Sequence, residues 1–178
     1  MAMKVYHYTS RGKWENMQPT DKHPDGGIST SYGINAFHPD HSDDMTKVLK
    51  KAFWAMPDKL PKEWDAYKAD RYGLGYLFNR CADGDELVLL EIELDDADDV
   101  WVADWAGFLK DIEGKRFPDM TNYESSMRRY KSKSDLKGIK YPEIICFNDM
   151  PVSRIREIPV PARALAKMQS EDINPPQP

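Results

Sequence analysis

The spacing of apolar residues changes along the chain, and the changes mark out its elements. Lys4–Thr9 (KVYHYT) is rich in β-formers and reads as an opening strand. Ser10 is placed to cap a short helix to about Met17, with Trp14 and Met17 on one face. From Gln18 to Asp44 the pattern dissolves among Pro19, Pro24, Gly26, Gly27, Gly33 and Pro39. That stretch reads as a long loop containing a short strand over Ile28–Ser31. Val48, Leu49, Ala52, Phe53 and Met56 then fall at helical spacing, which predicts a helix from Met45 to Met56 ended by Pro57. Pro61 fits the first turn of a further helix to about Cys81, carrying Trp64, Tyr67, Tyr72 and Phe78, with Gly73 and Gly75 able to kink it.

The second half is richer in strands. Asp83-Gly84-Asp85 is turn chemistry, and Glu86–Leu94 (ELVLLEIEL) is the clearest strand. After an acidic turn over Asp95–Asp99, Val100–Val102 reads as a short strand and about Asp104–Ile112 as a helix. Thr121 with Glu124 three residues on has the form of a capping box, predicting a helix to about Lys131. Glu143–Phe147 and Arg154–Val160 read as strands around the turn Asp149-Met150-Pro151, and Pro175–Pro178 as a disordered end. Strands and helices in this order form no regular βαβ series, so the class expected is α+β. One domain over residues 1–165 is expected, with 166–178 as a tail.

Composition narrows the function classes. With 178 residues, 40% hydrophobic and 31% charged, the chain is long enough for one packed core. A net charge of -5 is not the footprint of a duplex nucleic-acid binder, although a local basic face is compatible with it. Arg128, Arg129, Lys131 and Lys133 form such a run beside Tyr123 and Tyr130, read first as a solvated helix face and otherwise as a contact for phosphates. Cys81 and Cys146 lie in apolar or helical patterns, as buried reduced thiols do. No window approaches about 18 uninterrupted apolar residues, and no apolar run of signal-peptide length opens the chain. The expectation is a cytoplasmic protein, or one acting in a host cytosol if it is an effector or phage protein, with no membrane partner. GxGxxG and GxxxxGK[ST] are both missing. His38, Asp40, His41, Asp43 and Asp44, with His23 upstream, have metal-ligand chemistry but no metal-site spacing, so the segment reads as a solvated loop with no metal.

Two motifs carry the functional reading. Tyr6-His7-Tyr8-Thr9-Ser10 lies on the first strand. Tyr141-Pro142-Glu143-Ile144-Ile145 opens a late strand, followed by Met150-Pro151-Val152-Ser153-Arg154-Ile155. In this order they resemble the ADP-ribosyltransferase superfamily, nearest to its His-Tyr-Glu branch and to bacterial members that open with a His-x-Thr strand. The resemblance covers both ends of the domain well and the middle poorly. It implies two small, mainly antiparallel sheets flanked by helices, with NAD as substrate in a cleft between them. The walls would come from the His7 strand, the Ile28–Gly33 segment and the Glu143 strand, with the Gln18–Asp44 loop as a lid.

The residue types suit that chemistry. Breaking the bond between ribose and nicotinamide develops positive charge on the sugar, as in glycoside hydrolysis. A carboxylate near the ribose hydroxyls orients them and stabilises that charge, and Glu143 is the candidate. The resemblance gives His7 to the adenosine ribose and Thr9, or its backbone, to the nicotinamide amide. It also implies an aromatic residue stacked on nicotinamide, for which Tyr72 and Tyr76 rank ahead of Tyr32. Ser29 and Ser31 are further candidates to line the site. The Arg-Ser-Glu branch stays open as the minor alternative: Ser29-Thr30-Ser31 and Glu91-Ile92-Glu93 match its elements and would make Glu93 the catalytic carboxylate. Its first-strand arginine is missing, since Arg11 follows the strand, and a solvated strand face is the commoner reading of Glu91 and Glu93. Small members of the superfamily include toxins, phage proteins and effectors. The acceptor implied is a macromolecule, whether protein, DNA or RNA. The alternative from another class is a non-catalytic interaction module that retains the fold.

Overall fold

A computed structural model describes residues 3–30, 32–36, 48–62, 74, 77, 81, 84–113 and 120–169. The protein is α+β, with two antiparallel sheets and few helices among these residues. The chain divides into two compact units, each discontinuous in sequence.

The first unit comprises Lys4–Ile28, Met56–Glu93 and Met150–Pro178. Its sheet has β1 (Met3–Ser10), β4 (Leu87–Leu94) and β8 (Ile155–Ile158) in the order β1-β4-β8. The central β4 is the apolar run seen in the sequence, with Leu87, Val88, Leu89, Leu90, Ile92 and Leu94 all buried. Leu87 and Leu89 pack with Tyr8, Leu77, Cys81 and Ala164 in one core cluster. Each leucine contributes roughly 1.5–3 kcal/mol by leaving water. Helix α1 (Arg11–Asn16) starts where Ser10 accepts a hydrogen bond from the Lys13 amide, as the sequence indicates. It buries Trp14. At its first residue Arg11 forks to two carboxylates, donating to Glu86 at 3.1 Å and to Glu157 at 2.6 Å.

Glu91 is a buried carboxylate on β4. It accepts from Lys4 at 2.9 Å and from Arg156, its register partner on β8, at 2.6 Å. The Lys4 ammonium, with Arg156 beside it, holds the Glu91 carboxyl below the ordinary carboxylate range against the opposing effect of burial.

The second unit comprises Met1–Met3, Ser29–Ala55 and Leu94–Asp149. Its sheet has β2 (Tyr32–Ala36), β3 (Val48–Ala55), β5 (Val100–Asp104), β6 (Arg128–Arg129) and β7 (Pro142–Cys146). The order is β2-β3-β7-β5-β6, so β7 is central. Ile144, Ile145 and Cys146 on it are buried. Helix α2 (Trp105–Ile112) follows β5, capped by Asp104 on the Ala106 amide at 3.0 Å. Helix α3 (Thr121–Ser125) packs against α2 across Gly107. A Cβ at Gly107 would lie 2.7 Å from the Asn122 carbonyl oxygen.

Several sequence expectations are corrected here. Of the expected Met45–Met56 helix, positions 45–47 lie outside the described residues, and Val48–Ala55 is not helical but strand β3, paired on both sides, with Tyr32 opposite Ala52 and Phe53 opposite Cys146. Short apolar runs fit either period, and long-range pairing decided between them. Ile28 makes an isolated bridge to Met150, and the strand begins later, at Tyr32. Thr121 is the first residue of α3 and not its cap. The cap position is Met120 at φ 60° with no side-chain cap bond, and Glu124 is buried. The helix stops at Ser125, so the basic run is not on a helix: Arg128–Arg129 is strand β6, and Lys133–Leu136 is a 3-10 turn. Of the expected 61–81 helix, positions 74, 77 and 81 are described, and they are helical. The last helix among the described residues, α4, runs from Ala162 to Gln169.

Two measurements test this account. Gly107→Ala is expected to cost about 1–3 kcal/mol in urea unfolding, the range for forcing atoms into a close-packed contact; an unchanged midpoint would show that α3 shifts freely. Glu91→Gln is expected to destabilise the protein near neutral pH. A depressed carboxylate stabilises above the ordinary carboxylate range, and that contribution is lost as pH falls through its lower folded value. The two stability curves should therefore converge in acid, and a constant gap down to the most acidic point would refute the linkage.

Candidate functional site

Glu143 is the residue around which a site can be built. It sits opposite Ala103 in the β7–β5 register, and only 8% of its surface is exposed. Its Oε2 accepts a hydrogen bond from the Tyr123 hydroxyl at 2.5 Å. That hydroxyl accepts in turn from the Trp54 indole N–H at 3.0 Å. The direction of this chain follows from the groups: an indole N–H can only donate, so the phenol receives there and gives its single proton to the carboxylate.

The surroundings of Tyr123 are aromatic. Trp105 and Phe108 stack at 4.4 Å, and each meets the Tyr123 ring edge-on, at 6.4 and 6.2 Å. Such pairs add roughly 0.5–1.5 kcal/mol each beyond burial. The backbone of Tyr123 is fixed by Asp111, which is fully buried at the end of α2. Asp111 Oδ2 accepts from the Tyr123 amide at 2.9 Å, and Oδ1 accepts from the Asn122 amide at 3.0 Å and side chain at 2.7 Å. It caps α3 from another helix. The Tyr123 hydroxyl is thereby held in place against the Glu143 carboxylate.

The other predicted residues fall as follows. His7 is half-buried and Thr9 buried on β1; spaced two apart, they share one face of that strand. Both belong to the three-stranded unit, whereas Glu143 belongs to the five-stranded unit. Ser29 is exposed. Thr30 donates through its amide and its hydroxyl to Asp149, at 2.7 and 2.9 Å. Ser31, Tyr72, Tyr76 and the His38–Asp44 segment lie outside the described residues, as does the side chain of Tyr32. Glu93 is exposed, whereas Glu91 is buried in its ion pairs. Arg11, the arginine that follows the strand, is engaged with Glu86 and Glu157. Among the described residues, no three His, Cys, Asp or Glu side chains gather as a metal site. No described helix is long and apolar enough to cross a membrane. A groove of about 630 Å³ in the three-stranded unit runs past Glu86, Glu157, Ile158 and Leu165, and neither His7 nor Thr9 lines it.

Sequence reasoning missed Tyr123, Trp54 and Asp111 as partners of the Glu143 wall. Tyr123 carried only a weak signal, an aromatic beside a supposed capping residue. No family model matches this sequence, no curated protein matches it, and no solved structure matches its fold.

Tyr123→Phe keeps the ring and removes the donor to a buried carboxylate. Loss of a hydrogen bond to a charged group costs about 1.5–3 kcal/mol, and that is the expected loss in thermal or urea unfolding. A loss below about 0.5 kcal/mol would mean that the Tyr123–Glu143 bond contributes nothing net.

Proposed function

We propose that the protein transfers ADP-ribose from NAD to a macromolecular acceptor, releasing nicotinamide, with Glu143 as the catalytic carboxylate. The observation that carries this reading is the mounting of Glu143. It begins a central strand, and a phenol hydroxyl that is itself held by an indole N–H orients it. A carboxylate of this kind can orient ribose hydroxyls and stabilise the positive charge that develops as the bond to nicotinamide breaks. The His-x-Thr opening of β1 supports the same reading. In it His7 contacts the adenosine ribose and Thr9 the nicotinamide amide. Ser29 and Ser31 line the NAD site, and Tyr72 or Tyr76 stacks on nicotinamide. The two antiparallel sheets agree with the coarse architecture that the resemblance implies.

The test is calorimetry with NAD on wild type, His7→Ala, Glu143→Gln and Glu93→Gln, followed by a nicotinamide-release assay on the same four proteins. Expected are weakened NAD binding in His7→Ala, and release in Glu143→Gln reduced at least about 100-fold, the range for removing one pre-organised electrostatic group. Glu93→Gln should behave as wild type; loss of release there, with Glu143→Gln active, moves the carboxylate role to Glu93. Wild type that fails to bind NAD at millimolar concentration overturns the transferase reading and leaves the interaction module.

A further inference from the structure

The segment around Ile28 is stitched to the turn that follows β7. The Asp25 carbonyl accepts from the Val152 amide at 3.1 Å, and Ile28 and Met150 exchange two backbone bonds, each at 2.8 Å. Gly27 permits this approach. Its φ is 104°, and a Cβ there would lie 1.9 Å from the Met150 carbonyl oxygen.

Beyond Ile28 a side chain takes over from the backbone. Thr30 donates from its amide at 2.7 Å and from its hydroxyl at 2.9 Å, both to Oδ1 of Asp149. One carboxylate oxygen thus fixes the main chain and the side chain of Thr30 together. Hydrogen bonds to an ionised acceptor are the stronger kind. Ser29 lies between these two anchorages, the Met150 bridge before it and the Asp149 bonds after it, and is itself exposed. Ser29, Thr30 and Asp149 belong to the same compact unit as Glu143.

Asp149 is exposed, and bonds at an exposed position add little to global stability. Their effect is local order. A loop that is ordered beforehand spares a ligand the entropy of ordering it.

We infer that Asp149 is a positioning residue of the NAD site, holding Thr30 so that Ser29 is presented in one conformation, a role that rests on the transferase reading above, in which Ser29 lines that site. Asp149 acts through Thr30 and not on the reacting atoms. In that reading Glu143, and not Ser29, meets the charge that develops on the sugar. Loosening Ser29 therefore removes binding that ground state and transition state share, which raises KM and leaves kcat in place.

The experiment measures NAD affinity by calorimetry, nicotinamide release against NAD concentration, and urea unfolding. The proteins are wild type, Asp149→Ala, Asp149→Asn, Thr30→Val and the Asp149→Ala/Thr30→Val pair. Asp149→Ala should weaken NAD binding and raise KM about five-fold or more, with kcat within about two-fold and an almost unchanged unfolding midpoint. Asp149→Asn keeps an acceptor oxygen and should recover most of the affinity. Thr30→Val keeps the amide donor and should fall between. The double variant should be no worse than Asp149→Ala alone, because both changes remove one contact. Should Asp149→Ala fail to fold, Thr30→Val carries the test. Wild-type affinity and KM in the folded variants overturn the role of Asp149 and leave the transferase reading standing. A fall in kcat at unchanged KM, or equal loss in Asp149→Ala and Asp149→Asn, overturns it too. Wild type that binds NAD without releasing nicotinamide fails the transferase reading alone, and the calorimetric affinities then decide. Wild type that binds no NAD overturns both.

Discussion

The five-stranded unit is organised by the carboxylate of Asp111. It is fully buried at the end of α2 and satisfied by the first turn of α3. A charged group so placed is tolerated only because backbone amides meet it, and those amides would otherwise be orphans at a helix start. The bond fixes more than a helix end. Tyr123 is held at its own amide, so its ring is set between Trp105 and Phe108 and its hydroxyl reaches Glu143. Gly107 lets the two helices approach closely enough for this. The orientation of Glu143 is thus the last link of a chain that begins on a different helix.

Legibility in the sequence followed the range of the deciding interaction. Ser10 caps a helix that starts one residue later, as read from its neighbours, and Asp104, read as the approximate start of a helix, is its cap. Strand β4 is readable because its buried run is continuous. Strand β3 is not, since Val48, Leu49, Ala52, Phe53 and Met56 satisfy helical spacing as well as a strand paired on both edges. The start of α3 is not readable either. A local capping box at Thr121 and Glu124 competes with a carboxylate 11 residues upstream, and the tertiary bond prevails. The same holds at the candidate site. Glu143 stands out as a carboxylate opening a strand, while its partner Tyr123 lies 20 residues away with no motif to join them.

Aggregate charge leaves the local distribution open for a related reason. This chain uses its carboxylates in two ways. Glu86, Glu91 and Glu157 pair with cations across the three-stranded sheet. Asp104, Asp111 and Asp135 are engaged by backbone amides, where they close helix and loop ends. A carboxylate in the second role still counts as one negative charge in the sum. Its position, however, is set by the fold and not by the nearest lysine. The net value of -5 therefore averages over regions of opposite character, and a basic loop can persist within an acidic chain.

This division also bears on which carboxylates can act in chemistry. A group saturated by amides, such as Asp111, is committed to structure, because moving it would orphan the donors it satisfies. A group locked by two cations, such as Glu91, is committed likewise. Glu143 accepts from a neutral phenol on a side chain, itself held by an indole N–H. The direction in which its carboxylate points is therefore set through a side chain that two helices hold in place, and not by the strand that carries it.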